Sequence, residues 1–188
     1  MKPINQQYLL SQLARTLHQQ THMVNESFLD RDHDAMHAPS RSGGWSIVQC
    51  LAHLNSYSAY YLPRLEQQLS QPGIANATGM FRSSWLGRFF TNMMDPAQSK
   101  SRYKAHRLHV PGSDADAAEV TRAFIHHQET LLRCMDLCAD KNLRKIRIPM
   151  SVAPMIKINA GDLIQFLIMH QERHIQQALR NLEKHTIA

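Results

Sequence analysis

The chain has 188 residues, 43% of them hydrophobic, enough for one domain spanning residues 1–188 with a substantial core. Lys and Arg number 21 against 15 Asp and Glu, a formal charge of +6 that is dispersed rather than gathered in one run, and only 7% of residues are aromatic. This balance argues against a nucleic-acid reader, and no run reaches the roughly 18 apolar residues of a membrane span; it fits a small anionic substrate or simply a solvated basic surface.

The N-terminal stretch is polar and periodic, without the apolar centre of a signal peptide. Leu10, Leu13, Leu17, Val24 and Phe28 recur at helical steps and predict a first amphipathic helix. Residues 29–44, with Asp, His, Pro, Ser and Gly, read as a loop.

A second helix starts at Trp45-Ser46. Ser46 and Gln49 have the spacing of a capping box, and Trp45 and Cys50 that of a hydrophobic staple. Ile47, Leu51, Leu54, Ser58, Tyr61, Leu65 and Leu69 form its core stripe, which stops before Pro72-Gly73. Residues 71–112 are the least regular. A short aromatic helix is expected over 83–94, with Trp85, Phe89 and Phe90, and Pro96 ends it. The basic string SRYKAHRLHVPG reads as extended and leads to Ser113 as a cap.

The third helix is expected over 114–140, with Ala118, Thr121, Ile125, Leu132 and Met135 on one side. Pro149 and Pro154 confine the next connection to a loop, and Asn159 can cap a fourth helix. There Leu163, Ile164, Phe166, Leu167, Ile168, Ile175, Ala178, Leu179 and Leu182 cover more than half the circumference, which predicts heavy burial. Nowhere is there alternation long enough for a sheet. The elements add up to an all-α four-helix bundle with a long crossover between helices two and three. The odd set Cys50, Cys134 and Cys138 reads as free, buried thiols, which points to a reducing cytoplasm.

The string HQERH carries the chemistry. His170 and His174, four apart on a helix, present both imidazoles on one face, within reach of one metal ion. With 12 histidines, chance alone places about 0.75 such pairs in the chain, and three occur: His18/His22, His33/His37 and His170/His174. Only the last lies in a wide apolar arc. Buried imidazoles need partners, and metal ligation or hydrogen bonding would each supply them. His53, at the edge of the second helix's stripe beside Gln49, Ser56, Tyr57 and Tyr60, is the best donor of a third ligand; Cys50, one turn away, is read as packing. HQERH is not the zinc-protease motif, because Gln171 stands where that motif has its general base. Glu172 lies about 200° around the helix from His170 and serves a different face. Gln177 returns to the His170 face and can orient a ligand.

GGWSIVQCLAHL and MHQERHIQQALRNL, in this order and separation, resemble the DinB-like superfamily, which includes bacillithiol transferase and mycothiol-dependent isomerase relatives. The resemblance spans nearly the whole chain. It implies an up-down-down-up bundle, often a homodimer, with a divalent metal such as nickel or zinc on three histidines. Those positions map onto His53, His170 and His174. It further implies a metal-dependent hydrolase or thiol S-transferase acting on a small molecule, with a low-molecular-weight thiol as one candidate. Tyr57 or Tyr60 would contact such a substrate, and Arg82, Lys104 and Arg107 would draw an anionic one. The alternative is a non-catalytic, dimeric metal- or ligand-binding module.

Overall fold

The computed structural model describes residues 2–40, 43–72, 75, 78–99, 101 and 103–185; Gly73 and Arg102, read above as helix end and extended string, lie outside them. Four long helices make the bundle: α1 (Gln6–Phe28), α3 (Ile47–Ser70), α5 (Ala117–Asp136) and α6 (Ala160–His185). Two short ones, α2 (His33–His37) and α4 (Trp85–Met94), lie in the connections. α1 and α3 each pack against both α5 and α6. The beginnings of α1 and α6 share one apolar cluster with the ends of α3 and α5, and the opposite ends share a second. The direction is therefore up-down-down-up, with the long crossover between α3 and α5.

Short polar side chains fix where the helices start. Asn5, Ser46, Ser84 and Asp116 each accept a hydrogen bond from the amide three residues on, and Ser46 with Gln49 forms the full capping box. Asn159 Oδ1 accepts from the Asp162 amide at 2.9 Å and opens α6. Asp162 in turn accepts from the amide and hydroxyl of Ser84, tying the start of α4 to the start of α6. Gly87 permits that approach, since a Cβ there would stand 2.0 Å from the Asp162 carboxyl carbon.

The expected α3 stripe is buried throughout. Five expectations change. Residues 29–44 contain α2, capped by Asp32. The string before α5 contains a 3₁₀ turn (Arg107–His109), and the cap of α5 is Asp116, not Ser113. The buried face of α5 runs through Thr121, Phe124, Gln128, Leu131 and Met135, about one residue rotated from the Ile125 line. Finally, 147–159 is an antiparallel hairpin, β3 (Arg147–Met150) with β4 (Ala153–Asn159), rather than a loop. Pro149 opposes Lys157, and the register shifts just after it; in a two-stranded hairpin each strand is an edge, where proline is tolerated. A shorter pairing joins β1 (Ile4–Asn5) to β2 (Met80–Phe81).

All three cysteines are buried and free. Among the described residues no helix is long and apolar enough to cross a membrane. Gln20, Ser58, Gln128 and Gln171 are buried at the level where one apolar cluster gives way to the other. The histidines of the candidate site sit near this level.

Candidate metal centre

His53 leaves the middle of the first half of α3, just beyond the cap that fixes that helix's start. His170 and His174 leave α6 one turn apart, so the two helices together set all three rings. One nitrogen from each ring lies within 4.8 Å of the other two, and among the described residues these three form the grouping able to hold an ion. His53 and His170 are 3% and 2% exposed. A pair of Nε2 atoms, from His53 and His170, stands 3.1 Å apart. Trp45 lies over His53 and His174 at 4.7 and 5.7 Å between centroids, and Tyr57 edges onto His53 and His170 at 5.1 and 4.6 Å.

The hydrogen bonds decide which nitrogens are available. His53 Nδ1 faces the His109 carbonyl at 2.7 Å, an acceptor only, so Nδ1 carries the proton and Nε2 is bare. His174 Nδ1 faces Gln177 Oε1 at 3.1 Å, which likewise leaves its Nε2 free to ligate. His170 Nδ1 is buried with no partner among the described residues. A proton on His170 Nε2 would bond to His53 but strand a bare Nδ1. A proton on Nδ1 would instead set two bare Nε2 lone pairs face to face, repulsive until a cation lies between them. The donor set thus fits a divalent ion.

Burial also keeps the rings neutral, the form that ligates. Desolvation, then the neighbouring histidines, hold His170 well below its ordinary value. Desolvation and His53 bring His174 to about 3, against a smaller opposing effect of the Gln177 bond. His53 is lowered by desolvation, partly countered by its bond to the His109 carbonyl. Cys50 is absent from the cluster; its thiol is pushed up to about 12 by burial and stays protonated, as a packing residue should.

A family model described as the DinB superfamily matches residues 16–178. The chain belongs to the DinB superfamily. Among solved structures, YfiT from Bacillus subtilis, described as a probable metal-dependent hydrolase with an unusual four-helix bundle topology, is similar in fold. It superposes with a TM-score of 0.59 at 13% identity, over 94% of this chain and 87% of that one. No curated protein matches the chain.

Several other residues of this DinB-superfamily chain fall where their spacing placed them. Glu172 is turned from the centre and accepts from Gln20 and Gln176. His18 and His22 are exposed on α1, whereas His33 and His37, expected in a loop, bound the short helix α2 and stack ring on ring at 4.0 Å. Tyr57 lines the centre, whereas Tyr60 packs on Tyr61 and under the Arg64 guanidinium. Arg82, Lys104 and Arg107 are exposed. Two residues escaped the sequence reading. His109 is 4% exposed and stacks on Tyr57 at 3.8 Å. Arg173 donates to the carbonyls of Met93, Ser99 and Ser101, strapping the crossover to α6 beside His174. Neither belongs to a repeat or spacing that would have marked it.

Proposed function

We propose that His53, His170 and His174 hold one divalent ion, nickel or zinc, and that the protein is a metal-dependent hydrolase or thiol S-transferase acting on a small molecule. The observation that carries this reading is the convergence of three neutral imidazoles from two helices. An ion held in that way supplies a Lewis acid and lowers the pKa of a water or thiol brought to it. The residues around it orient and exclude. Gln177 and the His109 carbonyl fix two of the rings, and Trp45 and Tyr57 keep bulk water from their faces. The Tyr57 phenol, pushed up to about 12 by burial, stays protonated and acts as a hydrogen-bond donor to substrate rather than as a base. Glu172, held by Gln20 and Gln176, takes no part, so a protease-like glutamate base is not part of the proposal. The description of YfiT as a probable metal-dependent hydrolase supports the same class. A low-molecular-weight thiol as co-substrate, a cytoplasmic location and residues 1–188 acting as one domain complete the reading.

The depth of the centre favours a second reading, a metal- or ligand-holding dimeric module without turnover, since His53 and His170 are almost wholly covered. Elemental analysis of tag-free protein, followed by thiol-transfer and ester or amide hydrolysis assays, separates the two. The catalytic reading expects a stoichiometric divalent ion and turnover, both lost in His170→Ala. Metal without turnover would favour the module. Wild type and variant behaving alike in both respects would reject the metal centre.

A further inference from the structure

His109 comes from the crossover, 56 residues from His53 in sequence, yet its main-chain carbonyl is the acceptor that sets which nitrogen of His53 is bare. Its own ring is gripped on both sides. Nδ1 lies 2.9 Å from Ser56 Oγ and Nε2 lies 2.8 Å from Ser151 Oγ. The proton order around this ring follows from counting hydrogens. Ser56 donates its single hydroxyl hydrogen to the His53 carbonyl at 2.7 Å, so its oxygen accepts from His109 Nδ1–H. His109 Nε2 is then bare and accepts from the Ser151 hydroxyl. Ser151 is anchored in turn, because its amide donates to Tyr61 Oη at 3.0 Å and the Tyr61 hydroxyl lies 3.3 Å from Ser151 Oγ.

The result is a closed circuit around the first candidate ligand. The His53 ring donates to the His109 carbonyl, the His109 ring donates to Ser56, and Ser56 donates back to the His53 carbonyl. Both nitrogens of His109 are engaged, so the ring is not placed to be a fourth ligand. Ser151 extends the circuit to the β3–β4 turn, which joins three separate segments at one imidazole.

We propose that His109 is a positioning residue for the metal centre: its ring, clamped by Ser56 and Ser151, holds its carbonyl where it keeps the proton of His53 on Nδ1 and presents Nε2 to the ion. This rests on the metal reading above, and goes beyond it by assigning the crossover a share in the site.

Two readouts test it, the divalent-ion dissociation constant from competition with a chromophoric chelator, and the His53 tautomer from ¹⁵N NMR of the metal-free protein. Wild type is expected to show His53 protonated at Nδ1. His109→Ala is expected to mix the two tautomers and weaken binding of added Zn²⁺ by about 10- to 100-fold, the usual effect of losing a partner behind a ligand. His109→Asn, whose side-chain amide can donate to Ser56 as Nδ1 does, is expected to recover most of both. Should His109→Ala fail to fold, the double variant S56A/S151A leaves the ring but removes its clamps, and the same changes are expected. An unchanged tautomer and an unchanged dissociation constant in these variants overturn the proposal, even if thermal stability falls. A wild type that binds no divalent ion defeats the metal reading instead, and the tautomer comparison still decides the role of His109.

Discussion

Gln177 shows how a single amide shapes the centre. Its oxygen accepts from His174 Nδ1, which leaves Nε2 as the bare nitrogen of that ring. Gln177→Leu keeps the size and removes the acceptor. It is expected to weaken divalent-ion binding by about 10-fold while leaving the helical circular dichroism unchanged; equal affinity in a chelator competition would show that the ring needs no such guide. The placement of Gln177 is legible because residues seven apart on a helix share a face, and His170 marks that face. Helix periodicity likewise makes His53 a candidate, since it stands at the edge of the α3 stripe beside a well-signalled helix start. His109 obeys no such rule. Its stretch has no period, and its contacts with His53, Ser56 and Ser151 are created by the path of the chain in space.

Element by element, legibility followed the length of the repeating signal. α3 and α6 carry long stripes and clear caps, and both form as their patterns imply. α5 has a weaker pattern, and a polar residue, Gln128, occupies its buried face, where its amide donates to the Phe124 carbonyl. A stripe that leaves out Gln128 is therefore rotated toward Ile125. The correction has an energetic consequence. Phe124 is fully buried whereas Ile125 is only partly so, and Phe124→Ala is expected to cost about 3–5 kcal/mol, with Ile125→Ala costing clearly less. Urea unfolding of the two variants measures this, and comparable losses would restore the original face. The β3–β4 hairpin was hidden for another reason. β3 offers only Ile148 and Met150 as inward residues, too short an alternation to register, and two prolines argued for a loop. Packing against α3 and α6 supplies what local propensity lacks.

For the molecule as a whole, the buried histidines couple folding to protons in one direction and metal binding hardly at all. In the unfolded chain each imidazole takes up its proton near pH 6.5, the ordinary value. In the folded protein His109 does so only near 4 and His174 only near 3, chiefly because burial disfavours the charged ring, and His53 and His170 are lowered as well. The unfolded state therefore binds more protons below pH 6.5. The stability that these groups confer is complete above that pH and is lost as the pH falls toward their folded values, by about 1.4 kcal/mol per pH unit for each ring that stays neutral. Ion binding to the folded protein behaves differently. Free imidazoles would surrender a metal steeply below pH 6.5, but rings already neutral have no proton to displace. Between about pH 7.5 and 5, urea unfolding of the metal-free protein is expected to show falling stability, while the ion's dissociation constant, measured on protein still folded, stays nearly level. An affinity that collapses near pH 6.5 would mean that the rings titrate as if exposed, and that the shielding by Trp45, Tyr57 and the crossover does not keep them neutral.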